Sequence, residues 1–160
     1  METAFLLLGT NLGDRSRQLQ SGREKLGRAG DLRAISRVYQ TEPWGLPGQP
    51  EFWNQAVQLQ TNLNPETLLA VLKEIELECG RISQVRWGPR ELDIDIMAYG
   101  ELILKTDILR IPHPRMKERR FALIPLLEIA PDWRDPESGK KISQLISECP
   151  DQLDVKLLDC

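Results

Sequence analysis

Apolar runs of two different periods alternate with polar punctuation along this chain, and the two periods lay out its elements. Thr3 to Gly9 is an apolar run ending in glycine, followed by the polar turn Thr10-Asn11-Leu12-Gly13-Asp14. This predicts a buried strand leading into a helix, with Asp14 as N-cap and Leu19 and Leu26 on one face of a helix reaching about Gly27. Leu32 to Thr41 alternates as a strand does. Residues 42–50, dense in Pro and Gly, form a loop, and Phe52 to Thr61 resumes a strand. Asn64-Pro65-Glu66 combines a cap, a proline at the first helical position and an acid in the first turn. Leu68, Leu69, Leu72 and Ile75 then recur at helical spacing until Gly80. Residues 81–90 are a polar, arginine-rich loop, and Leu92 to Tyr99 is the most cleanly alternating strand. A hairpin-like stretch around Gly100, an Ile-Pro-His-Pro turn, a helix from Phe121 to Ile129 and a short helix from Lys141 to Glu148 complete the chain.

The order strand, helix, strand, strand, helix, strand predicts an α+β fold. Its plan is a ferredoxin-like βαββαβ sandwich with additional C-terminal strands and helices, in a single domain over residues 1–160. That plan carries many unrelated activities, so function has to be read from particular residues.

Composition narrows the classes. The 41% hydrophobic and 28% charged residues describe an ordinary globular protein. The formal charge of −3 argues against a nucleic-acid-binding module, which is usually basic. The apolar stretch from Ala4 to Leu8 is too short for a signal-peptide core, and no stretch approaches the ~20 apolar residues of a membrane span. A cytoplasmic protein without membrane contact is expected, working as a monomer. Cys79, Cys149 and Cys160 are odd in number and far apart, which reads as buried or idle thiols rather than a zinc site or disulfides.

The most informative segment runs from Arg86 to Met97, Arg-Trp-Gly-Pro-Arg-Glu-Leu-Asp-Ile-Asp-Ile-Met. Alternation along a strand puts Leu92, Ile94, Ile96 and Ala98 on one face and Asp93 and Asp95 on the other. The two aspartate Cβ atoms are then about 7 Å apart, close enough to act together on one or two cations. Two like charges on one strand face repel, and a hard divalent cation such as Mg²⁺ would offset that cost. A solvated acidic edge, or internal ion pairs with Arg81, Arg86 and Arg90, would also account for the pattern. Arginine forks suit phosphate as well, and phosphoryl chemistry ranks ahead of both alternatives.

The sole histidine, His113, sits between two prolines beside Arg115, Lys117, Arg119 and Arg120. It reads equally as a structural side chain or as a donor to a phosphate; for Lys117 and Arg120 a solvated helix face is preferred. There is no GxxxxGK[ST], so a bound triphosphate would depend on metal and arginines rather than on a glycine cradle. Trp44 and Trp87 lie in Pro/Gly loops, where large rings need a partner, whereas Trp53 reads as core. Phe52 and Asn54 share a strand face, an aromatic beside an amide, suited to stacking and reading a flat heterocycle.

Together these segments resemble the 6-hydroxymethyl-7,8-dihydropterin pyrophosphokinase family, from the Gly9–Gly13 turn to about Pro131. Arg86 to Met97 is similar to the family signature. Tyr39-Gln40-Thr41 with Pro43, Phe52-Trp53-Asn54, Ile75-Glu76, Gly80-Arg81 and Pro112-His113 fall where the family has related residues. The resemblance implies pyrophosphate transfer from ATP to the hydroxymethyl pterin in folate biosynthesis, with two Mg²⁺ ions on Asp93 and Asp95. It implies a pterin pocket of Thr41, Pro43, Trp44 and Asn54, with the ring between Phe52 and Phe121. On the ATP side it implies Glu76, Arg81, Trp87, Arg90, Ile96, His113 and Arg119, with Arg81 and Arg90 acting catalytically beside the two aspartates. The loops around Leu46 and Gln84 would close over the substrates. Ser83, Lys73, Phe52, Pro114 and Ile108 depart from residues frequent in the family, which bears on ATP contacts and loop closure and leaves the metal pair and the pterin pocket intact. A non-catalytic ligand-binding module that senses a small metabolite, and a different metal-dependent nucleotidyl or phosphoryl transferase on the same fold, are the competing readings.

Overall fold

The computed structural model describes residues 1–42, 48, 50–80 and 91–158. Its strands are β1 (Glu2–Thr10), β2 (Asp31–Ile35), β3 (Tyr39–Thr41), β4 (Phe52–Thr61), β5 (Asp93–Tyr99), β6 (Leu104–Lys105), β7 (Arg110–Ile111) and β8 (Val155–Leu157). Its helices are α1 (Arg15–Lys25), α2 (Pro65–Glu78), α3 (Arg120–Ile129) and α4 (Ile142–Glu148). The main sheet runs β5-β1-β4-β3-β8, every pair antiparallel, with β2 also on β4. The chain is therefore a mixed α+β fold on an antiparallel sheet.

Local signals explain the helix starts. The Asp14 side chain accepts from the Arg17 N–H, and Asn64 accepts from the Thr67 N–H with Pro65 at the first helical position. α2 stops where Gly80 takes a positive φ of 87°, a conformation a side chain disfavours. Alternation along the strands sends side chains to two cores. Ala4, Leu6 and Leu8 of β1, Val57 and Leu59 of β4, and Ile94 and Ile96 of β5 pack under α1 and α2. There Leu68, Leu72 and Ile75 are fully buried, each worth about 1.5–3 kcal/mol over exposure. Leu7, Ala56 and Met97 face the other way, under Ala122, Leu123 and Leu126 of α3 and Ile142 and Leu145 of α4.

Several expectations are corrected. The strand predicted from Leu32 to Thr41 is two strands laid end to end along β4. Ser36 causes the break: its Oγ accepts the Ala56 N–H and donates to the Arg37 carbonyl, taking a ladder position with a side chain. The hairpin expected around Gly100 turns instead at 106–109, where Thr106 pairs with Leu109 through backbone and hydroxyl. The first helix ends at Lys25 and tightens into a 3₁₀ turn over Leu26–Arg28. Lys117 is not a free solvated charge: it reaches the fully buried Asp135 at 2.5 Å. Arg120 has its backbone N–H bound to Asp151. Cys79 is buried and Cys149 half-buried, both as free thiols, while Cys160 lies outside the described residues. Among the described residues no helix is long and apolar enough to cross a membrane.

Candidate active site

The register of the sheet assembles the site. Asp93 of β5 pairs with Gly9 of β1, Gly9 with Asn54 of β4, and Asn54 with Tyr39 of β3. One row along, Asp95 pairs with Leu7 and Leu7 with Ala56. Residues directly opposite in an antiparallel pair share a face. Asp93, Asp95 and Asn54 therefore lie on the face covered by α3, as do Phe52 and its partner Thr41. The Asn54 amide donates to Thr41 Oγ at 3.0 Å within the buried floor.

Gly9 separates the acidic residue from the amide in that row. A Cβ there would sit 3.1 Å from Asn54 Oδ1, so glycine keeps the floor open. In the sequence Gly9 shows only as the glycine that closes an apolar strand and opens the Gly9–Gly13 turn, with nothing to place it beside Asn54. Trp53 points to the opposite face, where it packs against the first core with the Arg15 guanidinium 4.6 Å above its ring.

The start of α3 brings Phe121 and the helix cap, Arg119, together, the Arg119 guanidinium 5.5 Å from the Phe121 ring centre. Burial lowers the Arg119 pKa, opposed by the attraction of Asp95 and Asp93. An arginine so placed remains a cation at neutral pH.

Along the free edge of β5, between α2 and the β6–β7 hairpin, lies a cavity of about 380 Å³. Lys73, Glu76, Asp93, Asp95, Arg110 and His113 give it a strongly polar lining, with Leu69 and Ile108 as apolar wall. The hairpin contributes Asp107 to Arg110, of which the sequence marked Ile108 only through its departure from the family pattern. Glu76 is 5% exposed and its Oε2 accepts the Ile94 N–H at 2.7 Å. Ile96 turns its side chain into the first core, so it borders the cavity along the strand edge.

His113 is anchored to β5 through its own N–H, which donates to the Met97 carbonyl at 2.9 Å. The register against β1 skips Met97, a bulge that breaks the regular alternation of the ladder at this point. His113 Nδ1 accepts the Arg115 N–H at 3.1 Å. Burial, then the Arg119 charge, lower its pKa to about 4 against the pull of Asp93. At neutral pH the ring is uncharged and carries its proton on Nε2, a donor.

Of the residues singled out in the sequence, Thr41, Phe52, Asn54, Asp93, Asp95, Arg119 and Phe121 belong to the α3-covered face. Glu76, Ile96 and His113 border the adjoining cavity, which Asp93 and Asp95 share. Pro43, Trp44, Arg81, Trp87 and Arg90 lie outside the described residues.

The acidic pair thus lies on the sheet face that also carries Thr41, Phe52 and Asn54, and lines the polar cavity beside it. The family model for 7,8-dihydro-6-hydroxymethylpterin-pyrophosphokinase (HPPK) matches residues 5–131. A 2-amino-4-hydroxy-6-hydroxymethyldihydropteridine pyrophosphokinase of Pseudomonas aeruginosa is 40% identical over 152 residues, 94% of this chain and 93% of that one. One from Aquifex aeolicus is 38% identical and covers 92% of each chain. The chain belongs to the HPPK family. Among solved structures, Plasmodium falciparum HPPK-DHPS with pteroate superposes with a TM-score of 0.74 at 15% identity, over 92% of this chain. This chain spans 44% of that longer protein, so the likeness concerns the fold.

Proposed function

We propose that this chain transfers pyrophosphate from ATP to 6-hydroxymethyl-7,8-dihydropterin, giving the pterin diphosphate and AMP, a step in folate biosynthesis. The observation that carries it is the register placing Asp93 and Asp95 on the same sheet face as Asn54, Thr41 and Phe52, within a member of the HPPK family.

The donor set fits magnesium. Asp93 and Asp95 are half-buried carboxylates two residues apart on one strand face, oxygen donors of the kind a hard divalent cation takes. Among the described residues no third acid, histidine or thiol joins them in a metal-binding group. This suits ions that arrive with a polyphosphate and take its oxygens as further ligands. Asp93 and Asp95 would hold two Mg²⁺, which would supply charge neutralisation and Lewis acidity toward the phosphoryl group.

The chain's own residues do the rest by positioning. Asn54 and Thr41 present an amide and a hydroxyl to the polar edge of the pterin, and Phe52 and Phe121 offer rings to its faces. The hydroxymethyl oxygen attacks the β-phosphorus in line as the bond to the α-phosphate oxygen breaks, and AMP leaves. Arg119 holds positive charge against the phosphoryl oxygens, and His113 donates from Nε2. The same reading gives Pro43 and Trp44 to the pterin pocket, Arg81 and Arg90 to catalysis, and Trp87 to the nucleotide. Glu76 braces the wall and Ile96 borders the nucleotide along the strand edge.

We class the β1-to-β5 portion as ferredoxin-like, which the order β5-β1-β4 with β2 and β3 outermost supports. We also read residues 1–160 as one domain, cytoplasmic and monomeric, acting on small molecules rather than on nucleic acid or membrane.

The test is incubation with ATP, Mg²⁺ and 6-hydroxymethyl-7,8-dihydropterin. Pterin-dependent AMP formed in step with pyrophosphorylated pterin supports the proposal. ADP in its place means a simple kinase, and pterin binding without turnover means a binding module.

A further inference from the structure

We propose that Asp151 is a positioning residue for the pterin side of the site, holding the start of α3 and with it Arg119 and Phe121. The inference rests on the pyrophosphokinase reading above.

The first turn of a helix leaves backbone N–H groups without intrahelical partners. At the start of α3 the capping position is Arg119, which makes no side-chain cap hydrogen bond. Asp151, 31 residues later, supplies the acceptor: its Oδ2 takes the Arg120 N–H at 3.0 Å. A carboxylate there also meets the positive end of the helix dipole. The side chain belongs to a residue only 6% exposed, so its second oxygen needs a partner too, and Oδ1 accepts the Leu153 N–H at 2.9 Å. That second bond turns the chain toward β8, which pairs Val155 with Thr41, Lys156 with Gln40 and Leu157 with Tyr39. The Leu158 N–H continues the pairing to the Val38 carbonyl at 2.9 Å.

One short segment, 151–157, thus holds the backbone N–H of Arg120, the neighbour of Phe121, at one end and pairs with the backbone of Thr41 at the other. The far end of α3 is tied to β3 directly. Glu128 accepts the Tyr39 hydroxyl at 2.5 Å and the Arg37 N–H at 2.9 Å. α3 is therefore fixed to the sheet edge at both ends, by Glu128 and by Asp151. Loss of Asp151 loosens the first turn, which carries Arg119 and Phe121, while the buried Leu123 and Leu126 and the bonds of Glu128 still hold the rest of the helix. The sequence reading assigned no role to the tail after Lys141.

The experiment measures kcat and the pterin KM of the full-length protein at saturating ATP and Mg²⁺. Asp151→Ala should raise the pterin KM by about tenfold, the scale of losing a helix cap, with a smaller change in kcat. Asp151→Asn keeps an acceptor oxygen for Arg120 and should recover most of the loss. The control is Thr61→Val, which removes a buried hydroxyl bonded to the Ala29 carbonyl at the opposite end of β4. It lowers stability away from the site and should keep the wild-type KM. A wild-type KM in Asp151→Ala, or an equal rise in Thr61→Val, overturns the proposal. Should Asp151→Ala not fold, Asp151→Ser decides in its place: one short hydroxyl cannot serve both the Arg120 and the Leu153 N–H, so a severalfold rise in pterin KM supports positioning and an unchanged KM overturns it. If the unaltered chain makes no pterin-dependent AMP, the pyrophosphokinase reading itself falls, and this inference with it.

Discussion

Glu76 and Ile94 are joined by a 2.7 Å hydrogen bond from the Ile94 N–H to the Glu76 carboxylate, inside the protein and between α2 and the free edge of β5. Ile94 lies between Asp93 and Asp95, so the helix fixes the stretch of strand from which both carboxylates project. An edge strand has outward N–H groups that would otherwise need water or another strand. Here a side chain takes one of them and couples it to the site.

Glu76→Ala leaves that N–H buried and unpaired, at a cost of about 1–3 kcal/mol. The expected result is a lower Tm and a loss of about tenfold in kcat/KM for ATP, as Asp93 and Asp95 lose their fixed backbone. Glu76→Gln retains an acceptor oxygen and should lose less on both measures. Equal losses in the two variants would show that the hydrogen bond does not set the effect.

Gly9→Ala tests the floor of the site. The added methyl would lie 3.1 Å from Asn54 Oδ1, and Asn54 is held by its bond to Thr41. Relief requires Asn54 to shift by a few tenths of an ångström, which disturbs the groups facing the pterin. The expected outcome is severalfold weaker binding of 6-hydroxymethylpterin in a fluorescence titration, and destabilisation of about 1–3 kcal/mol by overpacking. Unchanged pterin affinity would place the pterin elsewhere than over this row.

Much of this arrangement was legible in the sequence because local rules set it. Asn64-Pro65 starts α2, the strand Phe52–Thr61 has the predicted bounds, and the Asp93/Asp95 alternation matches the two faces of β5. Partners distant in the chain were not legible. Ser36 breaks a well-alternating strand because its hydroxyl finds Ala56, twenty residues away. β8 is only Val155–Leu157, too short for a period to declare itself, and it exists because β3 offers an open edge. Likewise nothing near Asp135 announces that Lys117 will reach it, or that Glu128 will meet Tyr39. For the site, residue types and strand faces could be read from spacing. Which strands lie side by side, and hence that Gly9 separates Asp93 from Asn54, depends on register.

Asp95→Asn keeps size and hydrogen-bonding capacity while removing one of two charges. If the pair holds Mg²⁺ against ATP, turnover should fall by on the order of 10²–10³, with circular dichroism unchanged. Isothermal titration with Mg²⁺ and a non-hydrolysable ATP analogue should show weakened metal-dependent binding. A variant with full turnover would remove the metal assignment.

Asp135 offers a pH test away from the chemistry. Burial would raise its pKa, but hydrogen bonds from Lys117, Ser138 and the Glu137 N–H outweigh burial and hold it below the ordinary carboxylate range. A carboxylate depressed on folding contributes stability that is complete above its unfolded pKa, near 3.9, and is lost as the pH falls through the folded value. Asp135→Asn removes the charge but keeps an acceptor, and Lys117 remains partly solvated, so a loss of about 1–3 kcal/mol is expected at neutral pH. The Tm difference between parent and variant should be constant from about pH 6 to 8 and should shrink below about pH 4, where the parent begins to protonate the same group. A difference that stays constant down to pH 2.5 would mean that the Asp135 charge contributes nothing and that its hydrogen-bonded turn alone holds the Trp133–Lys141 segment in place.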